Sequence, residues 1–200
     1  FHMGCSCELV AERHKISRLE MDEFALGSHR RAVAAIKEGK FKREIVPVEV
    51  QGERGETKRA DTDEGPREDA SMDKLAKLMP AFQTDGLVTP GNSSTINDGA
   101  SAVILMSAEE VARRKIKPLA RITGHAAGGM EPKWVMMAPL DALKNLEKKT
   151  GFTPRDADLV EINEAFAGST VALIRELKLD PARVNVHGGA VALGHPIGCS

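Results

Sequence analysis

The sequence of 200 residues contains no tyrosine, and aromatic residues make up only 4% of it. Its formal net charge is −1, so basic residues are not in excess. Base stacking needs aromatic side chains, and binding to phosphates or anionic lipids needs a basic surface, so we expect neither nucleic acid nor membrane as a partner. No apolar run approaches the roughly 18 residues of a membrane span, and no signal peptide is recognisable. The expected compartment is the cytoplasm.

Cysteine is also scarce, with three residues in the chain. An odd number of cysteines in an intracellular protein does not indicate a disulfide framework. Cys5 and Cys7 are separated by one residue, and no further ligand lies nearby at the spacing of a metal site. We therefore expect no metal centre.

The predicted elements alternate between helices and strands. Ser17 and Glu20 have the spacing of a capping box and predict a helix that runs to about Glu38. A short edge strand at 45–50 and a polar surface excursion at 51–68 follow. Further helices are predicted at 139–150 and 164–178, and buried strands at 100–106, 119–125, 159–162 and 184–186. This alternation predicts an α/β fold with buried, largely parallel strands.

Asn163 lies where one of these strands ends and a helix is predicted to begin. In an open α/β sheet, ligands gather beyond the carboxyl ends of the strands. Two interpretations of Asn163 stay open. It is either the N-cap of the helix or an amide that holds a water or a substrate oxygen.

His195 lies between Gly194 and Pro196 in a glycine-rich turn. Proline fits the first helical position and keeps the residue before it out of the helical region, so His195 is a candidate N-cap. The positive helix end would favour a neutral imidazole, which could accept a thiol proton or donate to an oxyanion. The alternative is a surface histidine in a glycine turn. His125 and His187 could face the same cleft.

Four segments carry a resemblance to a known family: HMG at 2–4, GNSSTINDGASAVILM at 91–106, VEINEAFAG at 160–168 and NVHGGAVALGHPIG at 185–198. Together, in this order, they resemble the thiolase family of acetyl-CoA acetyltransferases and 3-ketoacyl-CoA thiolases. The resemblance implies a partial thiolase fold, in which two similar βαβαβ halves carry an inserted loop domain. Residues 1–116 would hold the loop domain and the end of the first half, and 117–200 the start of the second.

The resemblance also implies the chemistry, which is transfer of an acyl group between an enzyme cysteine and coenzyme A in fatty acid metabolism. His195 would activate the cysteine and line an oxyanion hole, and Asn163 would hold a water in that hole. Coenzyme A and acyl-CoA would be substrates, with no bound cofactor, and the complete protein would be a homodimer or homotetramer. The residues implied to contact coenzyme A are His2, Met3, Arg67, Ser94 and Phe166.

The main departure from the family pattern concerns cysteine. Thiolases carry the nucleophilic cysteine upstream of the HMG segment and a second, acid–base cysteine downstream of GHP, and neither region is present here. Cys5, Cys7 and Cys199 match neither position. We therefore expect an internal segment of a thiolase, inactive by itself. The alternative is a short, non-catalytic module that binds coenzyme A. Whether the role is biosynthetic or degradative, and which acyl chain length is accepted, stay open.

Overall fold

The computed structural model describes residues 2–52 and 55–199, so residues 53 and 54 of the predicted polar excursion, together with Phe1 and Ser200, lie outside the described residues. The α-helices are α1 (Met3–His14), α2 (Arg18–Lys37), α3 (Met72–Ala76), α4 (Ala108–Arg114), α5 (Ala138–Thr150), α6 (Ala167–Leu177) and α7 (Ala190–Leu193). Short 3-10 turns lie at Lys40–Arg43, Pro132–Met137, Pro154–Asp156 and Pro181–Arg183. Strands β1 (Val48–Gln51) and β2 (Thr57–Ala60) pair in antiparallel fashion. Within the described part of the chain, no helix is long and apolar enough to span a membrane.

Helix α2 begins as its sequence predicts. The Ser17 hydroxyl accepts from the backbone N–H of Glu20, and the Glu20 carboxylate accepts from the backbone N–H of Ser17 at 2.8 Å. This capping box satisfies donors that the first turn of a helix leaves unpaired. The chain leaves the helix through Gly39, whose φ of 70° lies in the left-handed region that glycine favours.

The apolar core lies where α6 packs against α1 and α2, and where the 3-10 turn before α5 packs against α1 and α6. Gly168 allows this close approach, because a Cβ there would press on Cys7 and Met21. The core side chains are Val10, Ala11, Ile16, Met21, Met137, Ala167, Ala172 and Leu173. Helices that share one apolar face in this way gain most of their stability from packing.

The fold is α/β, as predicted, but the predicted strands at 100–106 and 119–125 are wrong. Both segments are irregular, and their apolar side chains are exposed, with Ile104 87% accessible. A strand is stable only when a neighbouring strand takes up its backbone hydrogen bonds, and no described residue does so here. The predictions at 159–162 and 184–186 are met by a single parallel bridge, Val160 to Val184.

Candidate active site

The segment at 92–97 joins the two motif regions of the chain. Ser94 donates hydrogen bonds to the carbonyl oxygen of Ala165 from both its backbone N–H and its hydroxyl, each at 3.1 Å. A residue later, the carbonyl of Thr95 accepts from the backbone N–H of His195 at 3.0 Å. One short stretch of backbone therefore fixes the positions of both the NEAF segment (163–166) and the GHP segment (194–196).

Asn163 and His195 meet beside this segment. The Asn163 amide nitrogen lies 3.1 Å from Nε2 and 3.3 Å from Nδ1 of the His195 ring. A neutral imidazole has one nitrogen that accepts, so the amide can donate to one of the two. Gly194 leads into the site with a φ of 92°, in the left-handed region, and a Cβ there would overlap the Asn97 amide. The contact brings an imidazole and an amide together, which are the kinds of group that acyl-transfer chemistry uses for proton transfer and for stabilising an oxyanion.

Of the two interpretations of Asn163, the helix cap does not hold in the structure, and neither does the candidate cap at His195. Helix α6 begins at Ala167 with Phe166 as its N-cap, so Asn163 lies outside the helix and its amide is available to His195. After Pro196, the described residues form a turn closed by the N–H of Cys199 on the carbonyl of Pro196 at 2.8 Å, rather than a helix. His195 therefore owes its position to Gly194 and to the bridge with the 92–97 segment.

The rings of His2, Phe82 and Phe166 form an aromatic row. The ring of His2 lies 4.7 Å from that of Phe82, which meets the ring of Phe166 edge-on at 6.0 Å. His2 also caps α1, because its Nδ1 accepts from the backbone N–H of Gly4 at 3.2 Å. Met3, next to it, is 45% exposed. Sequence reasoning missed Phe82, since nothing in the residues around it points to a site.

Arg67 is held through its backbone and exposes its side chain. Its N–H donates to Nδ1 of the buried His29 at 3.1 Å, and burial, helped by the charge of Arg67, lowers the pKa of His29. Two residues earlier, Gly65 lies against the carbonyl of Ala192, where a Cβ would overlap it. The loop of Arg67 thus lies beside α7, the helix that leads to His195.

Glu164, directly after Asn163, is fully buried. Its carboxylate accepts from the Ser28 hydroxyl at 2.6 Å, from the Asn185 amide at 2.8 Å and from the backbone N–H of Val191 at 3.2 Å. The sequence placed Glu164 at the end of a strand but gave it no role. One signal was available in the sequence, because Glu164 is a charged residue between an apolar strand and a helix. If a charged residue is buried at such a place, it needs hydrogen-bond partners.

Contacts away from the pair of Asn163 and His195 are made by His187, His125 and Cys7. His187 packs edge-on against Phe41, and the carbonyl of His125 accepts from Lys149 of α5. Cys7 is buried among α1 and α6, and burial raises the pKa of its thiol to about 12. Over residues 2–52 and 55–199, no three His, Cys, Asp or Glu side chains gather as metal ligands would.

Comparison with known proteins gives two family matches and close relatives. Residues 1–109 match the family model "Thiolase, N-terminal domain", and 116–200 match "Thiolase, C-terminal domain". The whole chain is 47% identical to an acetyl-CoA acetyltransferase of Pseudomonas aeruginosa and 50% identical to one of Chromobacterium violaceum, and covers 51% of each.

Solved structures agree with these matches. An acetyl-CoA acetyltransferase of Bacillus anthracis superposes with a TM-score of 0.93 at 44% identity, over the whole of this chain and 50% of that protein. Human mitochondrial 3-ketoacyl-CoA thiolase in complex with CoA superposes with a TM-score of 0.92 at 43% identity, over 99% of this chain and 49% of that protein. The chain thus spans about half the length of the relatives that it matches.

Proposed function

Because this chain belongs to the thiolase family, we propose that the complete protein carrying it transfers an acyl group between an enzyme cysteine and coenzyme A. His195 accepts the proton of the cysteine thiol and, with Asn163, stabilises negative charge on the thioester oxygen. The reaction is either synthesis of acetoacetyl-CoA or thiolysis of a 3-ketoacyl-CoA. The division into 1–116 and 117–200, a cytoplasmic location and a homodimeric or homotetrameric assembly stay predictions.

The observation that carries this proposal is the contact between the Asn163 amide and the His195 ring. With a thioester as the acyl donor, the cysteine sulfur bonds to the carbonyl carbon while the π electron pair moves onto the oxygen, and the pair returns as the coenzyme A thiolate leaves. In thiolysis the sulfur bonds to the 3-keto carbon instead, and the enolate of acetyl-CoA leaves. Both directions need a proton acceptor and preorganised donors together. An amide and an imidazole that meet at 3.1 Å supply one group of each kind once a substrate oxygen, rather than the ring, takes the amide's hydrogen bond. Cys5, Cys7 and Cys199 match neither cysteine position of the family pattern, and burial raises the pKa of the Cys7 thiol to about 12. We therefore assign the role of nucleophile to a cysteine outside these 200 residues.

We place coenzyme A along the aromatic row and the loop of Arg67. His2, Met3 and Phe166 would contact the pantetheine arm, with Ser94 beside it. The exposed guanidinium of Arg67 would pair with the anionic nucleotide end, as arginine does with phosphates. One relative of similar fold is known as a CoA complex, which supports this placement.

The test is a steady-state thiolysis assay on the complete protein, with two variants that separate catalysis from binding. His195→Ala should lower kcat at least about 100-fold with little change in KM, because a general base and an oxyanion donor are both lost. Arg67→Ala should raise KM for coenzyme A and leave kcat unchanged, because Arg67 would contact coenzyme A equally in the substrate complex and in the transition state. If His195→Ala keeps more than a third of the wild-type kcat, the proposed role of His195 is wrong.

The second candidate is a non-catalytic module that binds coenzyme A. It is favoured by one observation, that the aromatic row and the loop of Arg67 are formed within this chain although none of its three cysteines matches a catalytic position of the family pattern. Calorimetric titration of the complete protein with coenzyme A separates the two candidates. Binding that Arg67→Ala weakens, with no thiolysis in the wild type, would favour the module.

A further inference from the structure

We propose that Glu164 is a positioning residue that sets the distance between Asn163 and His195. The inference rests on the proposed function and concerns a side chain that does not itself face the reacting atoms. Glu164 is fully buried, whereas Asn163, one residue earlier, is exposed beside His195. The two neighbours therefore point to opposite sides of the backbone, one into the protein and the other into the site.

Donors surround the Glu164 carboxylate. One oxygen accepts from the Asn185 amide, and the other accepts from the Ser28 hydroxyl and the backbone N–H of Val191. The guanidinium of Arg31 lies 3.9 Å from the first oxygen. Because each of these neighbours donates, only a side chain with two accepting oxygens gives every one of them a hydrogen-bond acceptor.

The first link runs from Glu164 to the chain that carries His195. Val191 lies in α7, and Gly189, directly before α7, donates its N–H to the Ser28 hydroxyl at 3.0 Å. A Cβ on Gly189 would overlap the Glu164 carboxyl group. The carboxylate and Ser28 together thus fix the start of α7, and α7 ends at Gly194, the residue before His195.

The second link returns to the chain that carries Asn163. The Asn185 amide exchanges two hydrogen bonds of 2.8 Å with the backbone of Ile162, and its nitrogen also donates to Glu164. Asn163 is thereby held on both sides, by Ile162 and by Glu164. The segments of both proposed catalytic side chains are therefore anchored to one buried cluster, defined by Ser28, Glu164 and Asn185, in addition to the backbone hydrogen bonds that they receive from the 92–97 segment.

Glu164→Gln is the sharpest test, because glutamine keeps the shape and replaces one accepting oxygen by an amide NH₂. Wherever that NH₂ points, it faces a donor, either the Asn185 amide or the N–H of Val191. The start of α7 should therefore move away. A shift of about 1 Å in catalytic geometry can lower a rate by as much as about 100-fold.

The matched control is Glu8→Gln. Glu8 is also a buried carboxylate, and it accepts from the backbone N–H groups of Leu87 and Val88 at 2.9 Å. It lies in α1 and touches neither α7 nor the residues around Asn163 in the contacts described. Glu8→Gln should lower the thermal midpoint as Glu164→Gln does, but leave kcat close to the wild-type value.

Measurements on the complete protein should give kcat, KM for coenzyme A and the thermal midpoint for each variant. We expect Glu164→Gln to lower kcat about 10- to 100-fold with KM little changed. A smaller loss in the same direction is expected for Ser28→Ala, which keeps the carboxylate and removes one donor. If Glu164→Gln does not fold, Ser28→Ala carries the test. Equal loss of kcat in Glu8→Gln and Glu164→Gln, or an unchanged kcat in both cluster variants, would overturn the proposal.

A crystal structure of the Glu164→Gln protein gives a readout independent of activity. The Asn163 amide should lie beyond hydrogen-bond distance of the His195 ring, and an unchanged distance would contradict the proposal. The His195→Ala variant distinguishes a failure of the positioning role of Glu164 from a failure of the proposed function. If it destroys activity while Glu164→Gln does not, the positioning role fails alone, whereas an active His195→Ala variant means that the proposed function fails.

Discussion

Two segments of this chain have similar apolar sequences but differ in secondary structure and in burial. STVALI at 169–174 lies in α6, where Ala172 and Leu173 are buried in the core. SAVILM at 101–106 is irregular and exposed, with Val103 82% accessible. The first is a helix whose backbone hydrogen bonds are internal, so one neighbouring surface is enough to bury it. The second could be buried only as a strand between other strands, which no described residue supplies.

The comparison shows what an apolar run by itself predicts. Its length and composition predict that it will be buried when partners are present, but the partners decide whether it is. Segment 169–174 meets its partners in α1 and α2, which come earlier in this same chain. Segment 101–106 shows the sequence of a buried strand without the sheet around it.

The largest effect should come from the same truncation made in both segments. We expect Leu173→Ala to lower the free energy of unfolding of the 200-residue chain by about 2–5 kcal/mol, because it removes buried methyl groups and leaves a cavity. Leu105→Ala, at a side chain 71% exposed, should change it by less than about 0.5 kcal/mol. Urea unfolding at low protein concentration measures both. Equal losses would mean that 101–106 is packed in solution.

A second contrast uses two glycines. A Cβ on Gly4, in α1, would overlap the ring of Phe82, whereas a Cβ on Gly129 would meet nothing within 4 Å. Gly4→Ala should therefore cost about 1–3 kcal/mol through overpacking. Gly129→Ala should be neutral or stabilise by up to about 1 kcal/mol, because alanine restricts the unfolded chain. Thermal midpoints of the two variants check this, and a stable Gly4→Ala protein would show that the Phe82 ring is loosely held.

The smallest effect concerns pH and the buried His29. Since the pKa of this histidine is lowered in the folded chain, the unfolded chain binds more protons as the pH falls below about 6.5. Stability should therefore decrease from pH 7 towards pH 5. His29→Asn, which keeps an acceptor for the N–H of Arg67, should flatten that decrease. The control is His125→Asn, in the exposed region, and an identical pH profile for the wild type and His29→Asn would contradict the prediction.

Local signals in the sequence predicted the elements that need only local partners. The capping box of Ser17 and Glu20 is confirmed, as is the helix that ends before Gly151, because caps and glycine stops act within a few residues. The strands at 100–106 and 119–125 failed for the opposite reason. A strand is defined by pairing with residues far away in sequence, and apolar composition cannot report whether they are there.

In the candidate site, too, residues with local sequence signals were predicted, and residues that depend on distant contacts were missed. Asn163 and His195 were picked from their places between glycines, prolines and strand ends, and the structure brings them into contact. The helix-cap interpretation, which was one alternative for each residue, does not hold, because both residues lie outside the helices and the 92–97 segment makes hydrogen bonds to the chain at or beside each of them. Phe82 and the buried cluster around Glu164 depend on contacts across the fold, so their sequence surroundings carried little signal.

The bridges made by the 92–97 segment also bear on the order of folding. The Ser94 hydroxyl reaches Ala165 across 71 residues of chain, whereas α1 and α2 follow each other directly. Contacts between distant residues close large loops and are entropically expensive before the rest of the fold supports them. The bridges from the 92–97 segment, which hold the chain beside Asn163 and His195, should accordingly form after the helices themselves, whose backbone hydrogen bonds are local. Chains that stall before that step would look native by their helical signal while lacking the one contact on which the proposed chemistry depends.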